Sequence, residues 1–181
     1  MAIKTFTAGS VLTAADTNTY LANSGLVYIT SQTVGSAVST VTVSSAFNST
    51  YDSYKIIYTG GVCSTTLHIG FKLGTTATGY YGGLIYINDA SNVPTGVLDV
   101  NASSFSYSGG GTTGHCLINA ELHNPFTANY TLMNNFNMSF VNYATYNGSL
   151  RNTTSYTAFT LIPSGGTITG GTITVYGYRK A

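Results

Sequence analysis

The stretch from Gly165 to Arg179, G-G-T-I-T-G-G-T-I-T-V-Y-G-Y-R, constrains the fold more than any other part of the chain. After the second Gly-Gly pair, hydroxyl-bearing and apolar side chains alternate. Because successive side chains of a strand point to opposite faces, this alternation predicts a half-buried β-strand. Gly177, inside that strand, indicates a kink or a close approach by another chain. A strand this late normally completes a sheet begun far upstream, so we expect the fold to close at the C-terminus.

Short β-branched and aromatic segments recur from Leu26 onward, about 8 to 12 residues apart and separated by turn-forming residues. The clearest is His115 to His123, whose apolar face carries Cys116, Ile118, Ala120 and Leu122. This pattern predicts an all-β fold, an antiparallel β-sandwich or jelly roll. The strand order does not follow from the pattern.

Glycine, asparagine and serine suggest where the strands are interrupted. Gly35-Ser36 predicts a hairpin turn between two β-branched runs. Cys63 to Leu73 reads as one continuous strand, whereas Ser108 to Gly114 reads as a glycine-rich turn. Asn134-Asn135 is expected to separate two strands, and Tyr146 to Asn152 to form a turn around Gly148.

Residues 1–25 differ from the rest and are interpreted as an N-terminal arm, with residues 26–181 forming the β-sandwich domain. Thr13 and Asp16 have the spacing of a capping box, which predicts a short helix from about Ala14 to Asn23. A helix this short needs a docking surface to be stable in water. That surface is either the chain's own domain or another protein, so we consider the following as attachment residues: Leu12, Thr13, Asp16, Tyr20 and Leu21.

Charge is scarce. Only 6% of the residues are charged and the net charge is +1. The few basic residues are scattered, which argues against nucleic acid as the main partner. No apolar run is long enough to span a membrane, and the N-terminus lacks the apolar core of a signal peptide. A nearly uncharged β-rich chain has little protection against association, so we expect sheet edges covered by other subunits.

The sequence offers little catalytic chemistry. Its acids are spread along the chain: Asp16, Asp52, Asp89, Asp99 and Glu121. Hydrolysis of sugars by paired carboxylates would require the fold to bring two of them together, and an enzyme is the weakest hypothesis. No cofactor motif is present. One strand face groups His115, Asn119, Glu121 and His123, but no spacing indicates a third metal ligand, and a solvated or subunit-facing side is the favoured interpretation.

The cysteines and tyrosines raise two further questions, whether a disulfide forms and whether a glycan is bound. Cys63 and Cys116 both fall on apolar strand faces, which favours buried, inert thiols over a disulfide between neighbouring strands. Most of the 15 tyrosines are expected to fill sheet faces and interfaces. Tyr80, Tyr81 and Tyr107 are candidates for stacking on a glycan.

Three segments together resemble structural proteins of tailed bacteriophages. F-T-A-G-S-V-L-T-A-A-D-T-N-T-Y-L at Phe6 to Leu21 resembles the opening of many phage fibre and virion proteins. A-F-N-S-T-Y-D-S-Y-K-I at Ala46 to Ile56 and I-T-G-G-T-I-T-V-Y-G-Y at Ile168 to Tyr178 are similar to the start and the closing strand of β-sandwich modules in such proteins. Together the matches frame nearly the whole chain.

The resemblance implies a non-enzymatic virion subunit, usually trimeric, made in the host cytoplasm and exposed on the particle. Because no shaft separates the arm from the sandwich, we expect a capsid cement, or decoration, protein that contacts the major capsid protein. The alternative is a short tail fibre or receptor-binding tip, bound to a tail protein, that recognises a host surface glycan.

Overall fold

The fold was analysed in a computed structural model that describes residues 7–16, 25–88, 90–139 and 142–180. One short helix, α1 (Ala14–Asp16), precedes the strands. The first six strands are β1 (Leu26–Thr33), β2 (Val41–Val43), β3 (Ser53–Cys63), β4 (Leu67–Leu73), β5 (Tyr80–Asn88) and β6 (Thr95–Ala102). The others are β7 (Phe105–Thr112), β8 (His115–His123), β9 (Thr131–Ser139), β10 (Asn142–Leu150), β11 (Phe159–Pro163), β12 (Ile168–Thr169) and β13 (Thr172–Tyr178).

All the pairings among these strands are antiparallel, and they form one branched sheet of 13 strands. The branch lies at β8, whose first residues pair with β7 and whose last residues pair with β9, while β3 follows its other edge. One arm is an eight-strand layer in the order β1-β13-β3-β8-β9-β10-β5-β6. The other is a four-strand layer, β2-β11-β4-β7, and the remaining two-residue strand, β12, pairs with the end of β3. The predicted all-β antiparallel sandwich is therefore confirmed.

Aromatic side chains join the two layers across a single core. Phe47 lies with its ring 4.8 Å from Tyr54 of the eight-strand layer and 5.7 Å from Phe159 of the four-strand layer. Further along, Tyr80 on β5 meets Phe105 on β7 edge to face, with ring centroids 4.9 Å apart. Such rings contribute large buried areas, so they provide much of the hydrophobic stabilisation between the layers.

The closing strand forms as its alternation predicts. β13 lies between β1 and β3, and Ile173 and Val175 are fully buried. A Cβ atom on Gly177 would collide with the ring of Tyr51. The close approach predicted at this glycine is therefore confirmed, but it is made by the same chain.

Two predicted turns are wrong. Gly35-Ser36 does not connect a hairpin, because β1 pairs with β13 and β2 pairs with β11. Residues 108–112 belong to β7, and only Thr113-Gly114 forms the turn to β8. The glycines of β7 occur where β8 approaches closely: a Cβ on Gly111 would lie 2.8 Å from the Cα of Cys116.

Other predicted boundaries also differ from the structure. Asn134-Asn135 lies inside β9, and β10 continues to Leu150, because each strand has a neighbour along its length. The predicted continuous strand from Cys63 to Leu73 is interrupted at residues 64–66. There both the backbone and the side chain of Ser64 bond Thr167: the Ser64 N–H donates to the Thr167 carbonyl, and the Thr167 N–H donates to Ser64 Oγ.

At the N-terminus, the predicted capping box is present. The backbone N–H of Asp16 donates to Thr13 Oγ1 at 3.1 Å, and the backbone N–H of Thr13 donates to Asp16 Oδ2 at 3.2 Å. The helix that it starts is described only for Ala14–Asp16. The predicted continuation to Asn23, with the candidate attachment residues Tyr20 and Leu21, lies outside the described residues.

Candidate functional site: the outer face of the eight-strand layer

One row of side chains runs across the outer face of the eight-strand layer. Its members, directly paired from strand to strand, are Tyr28, Tyr176, Lys55, Glu121, Asn134, Asn147, Gly83 and Leu98. The face that this row crosses divides into two chemically different halves. The half on β1, β13, β3 and β8 carries an ion pair, whereas the half on β9, β10, β5 and β6 exposes apolar groups.

On the second half, four apolar side chains cluster near the ends of β5, β9 and β10. Phe136 is 70% exposed, Tyr143 is 60% exposed and Ile85 is 59% exposed. Thr145 lies between Phe136 and Ile85 in the strand register, and Tyr143 lies directly opposite Ile87, which is 42% exposed. We call these four residues, Ile85, Ile87, Phe136 and Tyr143, the apolar end.

No charged side chain occurs in β5, β9 or β10. The exposed apolar groups of the apolar end are therefore not interspersed with charged side chains of these strands. Contiguous exposed apolar groups of this kind usually mark an interaction surface. The apolar end is therefore the best candidate for a protein-binding surface among the described residues.

The same face carries a groove of about 440 Å³ at the other end of β5 and β10. Gly82 and Gly148 lie opposite each other in the strand register and line it. Both need to be glycine, because a Cβ on Gly82 would collide with the hydroxyl of Tyr146 and one on Gly148 would lie 2.8 Å from the ring of Phe105. At both positions a side chain would point toward the core, where Tyr146 and Phe105 leave no room for it.

The walls of this groove combine apolar and polar groups. Leu98 and Val100 are 76% and 71% exposed. Asn147 is exposed and Tyr81 half-buried, and both line the groove with Arg151. The guanidinium carbon of Arg151 lies 4.0 Å from the centre of the Tyr81 ring, and its Nε donates to Ser149 Oγ at 3.4 Å.

Arg151 has no carboxylate partner among the described residues. The acid in the groove lining is Asp99, which is buried and whose two oxygens already accept hydrogen bonds. Asp99 Oδ1 accepts from Ser106 Oγ at 2.7 Å, while Oδ2 accepts from the Ser106 N–H at 3.0 Å and from the Tyr146 hydroxyl at 2.8 Å. Burial, together with this hydrogen bond, raises the pKa of Tyr146 well above its usual range. The groove therefore presents a cation and no available anion.

The polar residues predicted to share one face of β8 do so, but they do not converge on one site. Glu121 accepts from the Tyr178 hydroxyl at 2.6 Å and pairs with Lys55 at 3.5 Å. The Tyr178 hydrogen bond lowers the pKa of Glu121 and raises the pKa of Tyr178 to about 12. His123 instead bonds Ser53, with 2.9 Å between Nδ1 and Oγ. This arrangement is a structural ion-pair cluster.

The two cysteines are free and buried, as predicted. Burial raises the pKa of both thiols, which keeps them protonated at neutral pH. Within the described part of the chain, no three His, Cys, Asp or Glu side chains are grouped to hold a metal ion.

The three tyrosines predicted as candidates for stacking on a glycan lie in different environments. Tyr80 is fully buried and its hydroxyl accepts from the backbone N–H of Leu73, so it cannot reach a ligand. Tyr107 packs against His68, with ring centroids 5.0 Å apart. Tyr81 lines the groove. Of the candidate attachment residues, Leu12 is half exposed, and Thr13 and Asp16 are engaged with each other.

Sequence reasoning missed both the apolar end and the groove. The alternation in β5 is visible, since Tyr81, Ile85 and Ile87 share one parity. To conclude that these side chains face outward, one must know that the four-strand layer covers the opposite face of β5. Asn147, Ser149 and Arg151 lie in the segment predicted to be a turn, and nothing in the local pattern places them beside Tyr81.

Comparisons with known proteins add little. No protein-family model matches the sequence, and no curated protein matches it. Two solved structures are weakly similar. One, of infectious bursal disease virus Gt strain, is 10% identical, with a TM-score of 0.20 over 84% of this chain and 38% of that chain. The other, of the Gx strain, is 11% identical, with a TM-score of 0.16 over 83% of this chain and 41% of that chain. The chain thus spans well under half of either, and TM-scores this low carry no functional argument.

No helix among the described residues has the length and hydropathy needed to cross a membrane.

Proposed function

We propose that this protein is a non-enzymatic structural subunit on the outside of a tailed-phage particle, most specifically a cement protein that stabilises the capsid shell. The observation that carries the proposal is the apolar end, an exposed and uncharged sheet surface. The resemblance of three segments to phage virion proteins supports it. A subunit that binds the assembled shell better than free shell protein stabilises the shell by mass action.

The partner for the apolar end is an uncharged, apolar surface of the major capsid protein. Phe136 and Tyr143 are aromatic anchors of the kind that carry most of the energy at protein interfaces. The absence of charge on β5, β9 and β10 favours a partner surface that is also uncharged, because an unpaired partner charge would lose its hydration there. Copies of the chain are proposed to associate as a homotrimer on the particle.

Adding purified protein to particles that lack it tests this proposal. Phe136→Glu and Ile85→Glu place a charge in the apolar end, and each is expected to weaken binding at least about tenfold, or about 1.4 kcal/mol. Thr172→Glu is the matched control, because it adds the same charge at an exposed position on β13, in the other half of the same layer. Copies per particle are measured by quantitative mass spectrometry. Full occupancy by both apolar-end variants would exclude this surface.

A chain starting at Gly25 tests the arm. Gly25 is kept because its carbonyl accepts a hydrogen bond from the Arg179 N–H. We expect the sandwich to fold and the occupancy on particles to fall. Unchanged occupancy would exclude attachment through the arm.

The alternative function is a short tail fibre or receptor-binding tip, and the groove beside Tyr81 is the observation that favours it. Cryo-electron microscopy of native particles separates the two functions. Density spread over the shell supports the cement protein, whereas density confined to the tail supports the fibre.

A further inference from the structure

We propose that the groove lined by Tyr81, Leu98, Val100, Asn147, Ser149 and Arg151 is a binding site for a carboxylate-bearing sugar residue. The inference is independent of the apolar end, because the two features lie at opposite ends of β5 and β10. At about 440 Å³ the groove is within the range of small-molecule sites, roughly 300 to 1,000 Å³.

The cation explains why the sugar should be acidic. Lys55 and Lys180 have acidic partners, Glu121 and Asp52, whereas Arg151 has none in the part of the chain that the structure describes. Its guanidinium instead lies over the Tyr81 ring, a contact that fixes the side chain beside the groove. A guanidinium held in place binds a carboxylate through two parallel hydrogen bonds.

The other walls explain why the ligand should be a sugar. A pyranose ring offers C–H groups and hydroxyls in close alternation. Leu98 and Val100 provide exposed apolar surface for the C–H groups. The amide of Asn147 and the hydroxyl of Ser149 provide donors and acceptors for the hydroxyls. An extended peptide fits less well, because the backbones of β5 and β10 are already paired on both sides.

Asp99 belongs to the groove lining but has both oxygens engaged by other side chains. Both of its oxygens are turned toward Ser106 and Tyr146, beneath the glycine pair. An acid exposed in the groove would neutralise Arg151 and repel a carboxylate. Because the oxygens of this acid are bonded to Ser106 and Tyr146, Arg151 is the charged side chain in the lining that a ligand can contact directly.

Isothermal titration calorimetry of the full chain with trigalacturonate and with neutral galactotriose tests the proposal. We expect the acidic trisaccharide to bind at least about tenfold more tightly. Arg151→Gln should remove this preference and leave the weak binding of the neutral trisaccharide. Tyr81→Ala should weaken both.

Two controls separate local from general effects. Tyr28→Ala removes an exposed tyrosine from the same face outside the groove, and Lys72→Gln removes a cation from β4. Neither should change binding, and circular dichroism should show all variants folded. The proposal is overturned if neither trisaccharide binds, if both bind equally to the wild type, or if acidic binding survives Arg151→Gln. Competition by acetate as strong as that of trigalacturonate would indicate a general anion site and also overturn it.

Discussion

At the scale of single residues, Asp99 shows how a carboxylate is accommodated in a sheet with few charges. The side chain is 9% exposed and accepts three hydrogen bonds, two from Ser106 and one from Tyr146. A buried charge is tolerated only when donors replace the water it has lost. The same arrangement supports the floor of the groove, because the hydroxyl of Tyr146 lies directly beneath Gly82.

Tyr146→Phe removes one donor from the buried carboxylate while keeping the ring. A hydrogen bond to a charged group contributes about 1.5 to 3 kcal/mol, so we expect the free energy of unfolding to fall by about 2 kcal/mol. Urea denaturation measures it. Tyr143→Phe, at an exposed position with no hydrogen bond, should change stability by less than about 0.5 kcal/mol. Equal effects of the two substitutions would contradict this role for the Tyr146 hydroxyl.

At the scale of elements, β7 and β8 show why glycine occurs inside a strand. Residues 109–111 of β7 pass so close to β8 that a Cβ on Gly109 would lie 2.5 Å from the carbonyl oxygen of Leu117. The short distance between β7 and β8 at the branch of the sheet is therefore possible only because these residues of β7 are glycines. In sequence, the same glycine run is indistinguishable from a flexible turn.

Gly109→Ala is expected to destabilise the protein by about 1 to 3 kcal/mol, because overpacking forces the strands apart. Gly83→Ala is the matched control, since its added Cβ would meet only Leu98, at an ordinary 3.6 Å. That substitution should be neutral or stabilise by about 0.5 kcal/mol, as alanine does relative to glycine in a strand. Thermal and urea unfolding compare the two. A Gly109→Ala protein as stable as Gly83→Ala would show that β7 and β8 can separate without cost.

At the scale of the whole molecule, the last strand completes the eight-strand layer. β13 supplies the partner edge for both β1 and β3, although about 110 residues separate it from β3. Its inward side chains belong to the same core as those of every other long strand. Folding therefore cannot finish until the C-terminus is present.

A chain ending at Gly171 is expected not to fold cooperatively. It loses two fully buried side chains, Ile173 and Val175, each contributing about 1.5 to 3 kcal/mol, and it exposes one edge each of β1 and β3. Removal of Lys180 and Ala181 alone should be tolerated, because the Lys180–Asp52 ion pair is nearly half exposed. Circular dichroism during heating measures both. A sigmoidal unfolding transition in the shorter chain would show that the fold closes without β13.

The sequence by itself determined the all-β class of the chain and the facing of those strands in which polar and apolar side chains alternate. Alternation in β8 and β13 placed Ile118 and Val175 in the core, because the two-residue period of a strand is a local property of the backbone. The capping box of Thr13 and Asp16 was predictable for the same reason, since its partners are three residues apart.

Tertiary structure alone decided the pairing of strands and therefore the candidate site. Gly35-Ser36 joins strands with different partners, and Asn134-Asn135 lies within a strand, because neighbours remote in sequence supply the hydrogen bonds that override local turn preference. The apolar end and the groove exist only where β9, β10, β5 and β6 lie side by side. In β5, β9 and β10, both parities carry apolar side chains, so which parity faces water depends on the layer that covers the other side. That layer is assembled from distant parts of the chain.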